Sequence, residues 1–140
     1  MPILAKHGLT LEDLVDAGFD LYVSGSKNED VEKAKNRLRE LLLIFLEDQN
    51  VCLLLAAASY LDELLSSTDQ TAPSQSEDPA SLVADELIGM SIAEYIAGKK
   101  GLFNYVRYDR EKPGVIGDLP PFMDDAVGAL VAASMTRAFE

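Results

Sequence analysis

The sequence contains no tryptophan, and its 140 residues include one cysteine and one histidine. A single cysteine (Cys52) excludes an internal disulfide and a zinc site built from several cysteines. A single histidine (His7) excludes HExxH metalloproteases, phosphatases that use two histidines, and histidine-rich metal sites. Basic residues are also few, since 12 Lys and Arg stand against 24 Asp and Glu. If the protein is an enzyme, we expect its chemistry to depend on carboxylates.

The excess of acids gives a formal net charge of −12 at pH 7. An acidic surface repels phosphate backbones and anionic head groups, so we expect no nucleic-acid partner and no docking on anionic lipid through a basic patch. The hydrophobic content of 48% is sufficient for a folded core in a chain of this length. The composition therefore predicts one globular domain over residues 1–140.

Long apolar runs are missing as well. The most apolar stretch, 41–65, is interrupted by polar residues at 47–50, and the remaining run, 51–61, is about half the roughly 20 residues of a spanning helix. The first residues lack the apolar core and small-residue cleavage site of a signal peptide. We therefore expect no stable membrane insertion and a cytoplasmic location.

Hydrophobic spacing predicts helices along most of the chain and no strand series. The predicted helices cover about 11–22, 28–46, 50–65, 79–97 and 122–138, and the second and third of them are expected to form a hairpin. A polar stretch at 66–78 is interpreted as a loop, and 101–121 as irregular because glycine and proline recur there. The predicted fold class is all-α, a multihelical bundle.

Pairs of adjacent acids are the most informative pattern. Five of the seven pairs are interpreted as solvated helix ends, where the helix dipole favours charge: 12–13, 29–30, 47–48, 62–63 and 77–78. Asp85-Glu86 and Asp124-Asp125 differ, because both lie in otherwise apolar segments. Ionised carboxylates that face a core are costly unless they are paired or bind a cation.

Each of these two pairs has a glycine four residues after its first acid, Gly89 and Gly128, and therefore on the same helical face. A glycine there lets another backbone or a ligand approach that face. Two acidic pairs on facing helices predict a site for a hard divalent cation, Mg²⁺ or Mn²⁺. The alternative for Asp124 and Asp125 is a favourable interaction of first-turn acids with the helix dipole.

The segment between the two acidic pairs holds the densest positive charge of this half of the chain, namely Arg107, Arg110 and Lys112. A Lys or Arg beside a metal-bound phosphate would neutralise its oxygens and the charge on the leaving group. The alternative is ordinary ion pairing with Asp109 and Glu111.

Three motifs, in this order, resemble the signature of the phosphatidylglycerophosphatase A superfamily. They are Asp85-Glu86-x-x-Gly89-Met90-x-Ile92-Ala93, Asp109-x-x-Lys112-Pro113-x-x-Ile116 and Asp124-Asp125-x-x-Gly128. Residues 8–14 and 103–114 are similar to the small soluble branch of that superfamily, which includes the archaeal α-ribazole-5′-phosphate phosphatase. The resemblance implies an all-helical bundle in which one central helix is surrounded by the others.

The same resemblance implies a magnesium-dependent phosphomonoesterase that acts on α-ribazole 5′-phosphate in cobalamin nucleotide-loop assembly. The metal ligands would be Asp85, Glu86, Asp124 and Asp125. The catalytic residues would be Asp85, Asp124 and Lys112. The substrate would be bound by Asn104, Arg107, Asp109 and Lys112.

Two departures separate the chain from the membrane enzymes of the superfamily. It lacks their transmembrane helices and their Gly/Ser/Thr-rich N-terminal motif, and Val106 stands where they carry an arginine. Both departures favour a soluble substrate. Two alternatives remain open: a phosphatase for a phospholipid head group, and a helical binding or interaction protein without turnover, whose partner would contact the apolar stretches 41–45 and 51–61. We also expect a homodimer or higher homo-oligomer.

Overall fold

The computed structural model describes residues 2–22, 30–67 and 82–140, and the regular secondary structure of this part of the chain is entirely helical. Its helices are α1 (Pro2–Lys6), α2 (Leu11–Asp20), α3 (Val31–Glu47), α4 (Gln49–Ser67), α5 (Ala84–Glu111) and α6 (Pro121–Ala138), with a 3₁₀ turn at Gly114–Asp118. The predicted all-α fold is confirmed. Of the loop predicted at 66–78, the first two residues end α4, whereas 68–78 lie outside the described residues, as does the helix start expected near 79.

Local capping explains where α2 and α3 begin. Asp13 N donates to Thr10 Oγ1 (3.2 Å) and Thr10 N donates to Asp13 Oδ2 (2.9 Å), which satisfies two backbone N–H groups at the start of α2. At the start of α3, Lys33 N donates to the Asp30 carboxylate (3.2 Å). The N-cap predicted at Thr10 is therefore confirmed.

Helices α3 and α4 are joined through Asp48 alone and are bent by 78° relative to each other. A single residue is too short a connection for the predicted antiparallel hairpin, and that prediction is wrong. Asp48 instead caps α4, accepting two backbone N–H groups at 2.8 and 3.1 Å. The apolar end of α3 is only partly in the core, because Leu42 and Leu46 are buried while Leu43 and Ile44 are exposed.

Helix α5 folds back on itself at Gly98, where φ is 63° and ψ is −148°. This backbone conformation is almost restricted to glycine. In a straight helix, Gly89 and Tyr105 would be about 24 Å apart, yet the Tyr105 hydroxyl occupies the place that a Cβ on Gly89 would need. The two arms of α5, 84–97 and 99–111, therefore lie side by side and antiparallel.

The helical second arm corrects the prediction that 101–121 is irregular. The helix stop predicted at Gly98 coincides with the fold between the arms, but the chain resumes a helix there and continues to Glu111. Gly101 lies inside this arm, and a Cβ on it would be 2.6 Å from Ala93 O in the other arm. Its glycine therefore permits close packing of the two arms and does not break the helix.

Helix α6 is the central element of the fold. All its residues from Pro121 to Met135 are buried, and it contacts α2, α3, α4, α5 and the 3₁₀ turn. A helix that is apolar on every side is one that is enclosed by others. The surrounded central helix expected from the resemblance is therefore confirmed, and it carries Asp124 and Asp125 into the interior.

Candidate metal centre

Carboxylates from three helical segments meet beside the first turn of α6. Asp124 and Asp125 belong to that turn and Asp109 to the second arm of α5, and one oxygen of each lies within 4.8 Å of the others. Asp85, at the start of the first arm, is 1% exposed and also adjoins the Asp125 carboxyl. The fold at Gly98 is what brings Asp85 and Asp109 to the same end of α5.

Lys112 supplies positive charge to this carboxylate cluster. Its Nζ lies 3.0 Å from Asp124 Oδ2, 3.1 Å from Asp109 Oδ1 and 3.6 Å from Asp125 Oδ1. Burial lowers the pKa of Lys112, but the hydrogen bonds and charges of Asp124 and Asp109 outweigh this effect and raise the pKa above its ordinary value. Lys112 ends α5 in the left-handed region (φ 43°, ψ 62°), which residues with side chains seldom adopt.

Asp125 is the least compensated member of the cluster. It is 1% exposed, and within the described ranges neither of its carboxylate oxygens has a hydrogen-bond partner. Burial raises the pKa of Asp125, and the adjoining carboxyls of Asp124, Asp109 and Asp85 raise it further, far above the ordinary range. A buried carboxylate whose charge is only partly compensated either holds a proton or faces a further cation.

Asp62 of α4 is a buried acid for which the sequence interpretation was wrong, since it is 7% exposed and not solvated. Its two oxygens accept hydrogen bonds from Phe122 N and Met123 N, both at 2.8 Å. Pro120 provides no side-chain cap for α6, so Asp62 caps that helix from outside and holds the turn that bears the cluster. Burial raises the pKa of Asp62 to about 6, although its two N–H donors act in the opposite direction.

Gly89 allows the two arms of α5 to approach α6 beside the cluster. A Cβ on Gly89 would clash with the Tyr105 hydroxyl and would lie 3.0 Å from Asp125 O. The close approach expected at Gly89 is therefore present. At Gly128 a Cβ would meet only Ile116 Cγ2 at 3.9 Å, an ordinary contact, so no such requirement exists there. Tyr105, whose buried hydroxyl has no hydrogen-bond partner in the described part of the chain, was not singled out from the sequence.

Glu86 lies at the edge of the cluster and not inside it. Its side chain is exposed, and it lines a cavity of about 250 Å³ together with Tyr105, Val106 and Asp109, among others. Its backbone N–H donates to Asp85 Oδ1 at 2.9 Å. That Glu86 is a metal ligand stays a prediction.

Asn104 and Arg107 lie apart from the carboxylates. Asn104 Nδ2 donates to Ala132 O (2.8 Å) and Thr136 Oγ1 (3.3 Å) on α6. The Arg107 guanidinium lies 5.8 Å from the centre of the Tyr108 ring. Both residues line a different cavity from that of Glu86 and Asp109. Of the residues predicted to bind substrate, only Asp109 and Lys112 join the cluster.

The carboxylate cluster suits a hard divalent cation. The Lys112 ammonium group lies within 4 Å of the carboxylates of Asp109, Asp124 and Asp125, and Asp85 adjoins the Asp125 carboxyl. Burying several ionised carboxylates together costs more than one lysine compensates, and oxygen donors of this kind are those that Mg²⁺ and Mn²⁺ prefer. The triad of Asp109, Asp124 and Asp125, of which the last two are buried, can therefore hold a metal ion.

Within 2–22, 30–67 and 82–140, no single helix is both long and apolar enough to cross a membrane. Helices α3 and α4 pass that test of length and composition only when taken together, as a pair with the 78° bend at Asp48.

Several known proteins are similar to this chain in sequence or in fold. An uncharacterized protein of Methanocaldococcus jannaschii is 42% identical over 130 residues, which are 90% of this chain and 100% of that relative. A solved protein of unknown function from Bacillus stearothermophilus superposes with a TM-score of 0.76 at 23% identity, over 99% of this chain and 94% of the other. The low temperature requirement C protein of Listeria monocytogenes gives a TM-score of 0.78 at 23% identity, over 96% and 88%. These two structures share the helical fold.

The family model described as phosphatidylglycerophosphatase A matches residues 36–140, a span that includes the whole carboxylate cluster. Its name points to a phosphatase-type activity. Because this match covers three quarters of the sequence, the chain belongs to the phosphatidylglycerophosphatase A family.

Proposed function

We propose that the protein is a phosphomonoesterase that requires Mg²⁺ or Mn²⁺ held by Asp85, Asp109, Asp124 and Asp125. One observation carries this proposal: Asp125 is buried without a hydrogen-bond partner among the described residues, in contact with three other acids and 3.6 Å from a single lysine. A bound cation would offset the repulsion between these carboxylates. The match to a phosphatase family suggests that the cation would serve phosphate hydrolysis.

The residues of the cluster divide the proposed reaction among them. When bound, the cation would offset phosphate charge and supply an activated water. Asp85 or Asp124 would accept the proton of the attacking water. Lys112 would donate to a phosphoryl oxygen and stabilise charge on the leaving ester oxygen. Asp109, 3.1 Å from the Lys112 ammonium, would orient that lysine.

The proposed substrate is α-ribazole 5′-phosphate, in cobalamin nucleotide-loop assembly. The motif resemblance to the small soluble branch supports this choice, as does Val106 in the position where the membrane enzymes carry arginine.

A phospholipid head group such as phosphatidylglycerophosphate is the second candidate substrate. One feature of the structure favours it: Leu87, Phe103 and Val106, on the two arms of α5, are 58%, 79% and 57% exposed. Val106 lines the same cavity as Glu86 and Asp109, so an apolar surface adjoins the carboxylates. A lipid chain would cover that surface while its phosphate reached the cluster.

Phosphate release from both substrates, with Mg²⁺, with Mn²⁺ and with excess EDTA, tests the proposal. We expect release from α-ribazole 5′-phosphate in the presence of a divalent cation and none in EDTA. The double variant Asp85→Ala, Asp124→Ala should lose at least about 1000-fold in rate, because both the cation site and the water-activating carboxylates are lost. The exposed acid Asp16 offers a matched control, and Asp16→Ala should retain full activity.

Full activity of the double variant would refute the assignment of the site. Release from dispersed phosphatidylglycerophosphate alone would select the lipid substrate. If calorimetry detected no binding of Mg²⁺ or Mn²⁺, the alternative of a binding protein without turnover would replace the phosphatase. The exposed Leu43, Ile44 and Leu53 support the related proposal of a homodimer. Size-exclusion chromatography with light scattering would test it by measuring the molar mass in solution.

A further inference from the structure

A second cavity, of about 480 Å³, lies between the second arm of α5 and the C-terminal end of α6. This volume is within the range of small-molecule sites. The lining residues that matter for its chemistry are Tyr22, Lys100, Asn104, Arg107, Tyr108 and Phe139.

The second cavity is separate from the carboxylate cluster. Lys100, Asn104 and Arg107 follow the i, i+4, i+7 spacing of one helical face. Tyr105 and Asp109 point about 150° away from that face, given about 3.6 residues per turn. The two sites therefore lie on opposite sides of the same arm, and no acid of the cluster lines the second cavity.

Two cations of this cavity are not neutralised. In the part of the chain that the structure describes, neither Lys100 nor Arg107 makes an ion pair, whereas the acid lining the cavity, Glu140, pairs with Arg137 at 3.3 Å. Two uncompensated cations in one cavity are unexpected in a chain with twice as many acids as bases. An ammonium and a planar guanidinium together favour a phosphate.

Aromatic rings form another part of the lining. Tyr22 and Phe139 stack with ring centroids 5.0 Å apart and an angle of 29° between their planes. Tyr108 is fixed by a hydrogen bond that its hydroxyl donates to Gly18 O at 2.6 Å. Flat aromatic surfaces of this kind bind nucleobases by stacking, with little dependence on base identity.

Asn104 adds a directional group. Its amide nitrogen already donates to Ala132 O and Thr136 Oγ1 on α6, which fixes the orientation of the side chain. No group among the described residues donates to the amide oxygen, which can accept a hydrogen bond from a ligand. A ligand with an amino group on a flat ring would satisfy it.

We propose that this second cavity binds an aromatic phosphate of the mononucleotide class, with the phosphate held by Lys100 and Arg107 and the ring placed against the Tyr22–Phe139 pair. Binding at this site requires no divalent cation, so the proposal is independent of the proposed phosphatase function.

Calorimetric titration with AMP in excess EDTA tests the proposal, because without a cation the carboxylate cluster repels phosphate. We expect AMP to bind, and both adenosine and inorganic phosphate to bind at least about tenfold more weakly. The double variant Lys100→Gln, Arg107→Gln should weaken AMP binding by at least about tenfold. Lys99→Gln removes an equal charge at the adjacent exposed position, which does not line the cavity, and should bind AMP like the parent protein.

Three results would overturn the proposal: no AMP binding in EDTA, equal AMP binding by the double variant, or adenosine binding as tightly as AMP. Circular dichroism establishes that the variants are folded. If the double variant does not fold, Lys100→Gln alone, at an exposed position, provides the same test. Asp125→Asn should leave AMP binding in EDTA unchanged, and a loss there would move the binding site to the carboxylate cluster.

Discussion

Asp125 is a residue whose importance for cation binding and for stability can be separated. Burial and the neighbouring carboxyls raise its pKa, so we expect it to keep a proton at neutral pH when no cation is bound. Asp125→Asn should therefore change the free energy of unfolding in EDTA by less than about 1 kcal/mol. The same variant should lose cation-dependent phosphate release by at least about 100-fold, as measured in parallel with its urea unfolding curve.

The pH dependence of stability gives a check on this interpretation. The raised pKa means that folded Asp125 keeps its proton to a higher pH than the unfolded chain does, so in EDTA the free energy of unfolding should fall as pH rises above about 4. Asp125→Asn should flatten that slope, and Glu94→Gln, at an exposed acid, should not. An identical slope in Asp125→Asn would show that Asp125 is ionised in the cation-free protein.

The sequence predicted some of these residues and missed others for a physical reason. Asp85, Asp124 and Asp125 are recognisable because a charge in an apolar segment conflicts with burial. Asp62 is not, because its partners are backbone N–H groups 60 and 61 positions further along the chain. Its neighbour Glu63 is exposed, so an adjacent pair of acids does not reveal which of the two is buried.

At the scale of one element, Gly98 determines whether α5 forms two antiparallel arms or one continuous helix. A Cβ on Gly98 would meet no atom within 4 Å, so Gly98→Ala changes only backbone strain. We expect a loss of about 1–3 kcal/mol in unfolding free energy. Cation binding should also weaken, because the fold at Gly98 is what brings Asp85 and Asp109 together. Gly128→Ala, in a helix with room for a methyl group, is the control and should be neutral or stabilising by up to about 1 kcal/mol. Equal losses in both variants would contradict a special role for the fold at Gly98.

The cap that Asp62 provides for α6 is the second prediction at this scale. Asp62→Ala leaves two buried N–H groups without a partner and should cost about 2–4 kcal/mol, as measured by urea unfolding. Asp62→Asn keeps an acceptor oxygen and should cost less. Glu63→Ala, at the exposed neighbouring position, should be nearly neutral, and a cost as large as that of Asp62→Ala would reject the capping role.

Element boundaries were predictable where capping is local and not where tertiary contacts decide. Thr10 and Asp13 start α2 through contacts three residues apart, so the sequence contains the signal. Gly98 and Gly101 are the same residue type, so the sequence does not distinguish their roles. Gly98 has a positive φ, whereas Gly101 lies in a helix that packs against Ala93. The sequence therefore predicts an irregular segment where the second arm of α5 lies.

At the scale of the whole molecule, cation binding should raise the free energy of unfolding. A ligand that binds only the folded state, at 100 times its Kd, adds about 2.7 kcal/mol, which corresponds to a rise in Tm of roughly 5–11 °C for a chain of this size. We expect this rise with Mg²⁺ or Mn²⁺ for the parent protein and its absence in Asp125→Asn. Because the net charge is −12, NaCl at matched ionic strength is the control for general screening. An equal rise with NaCl would mean that no specific cation site is filled.

The burial of α6 on every side also determines when, during synthesis, the protein can fold. Among the described helices, α6 comes last along the chain, so the ribosome completes α2 to α5 before the element they enclose exists. The apolar faces of these helices cannot pack against the central helix until its 18 residues have left the ribosome. Folding should thus occur after translation of α6, and the amide protons of this helix should exchange with solvent only when the entire structure opens.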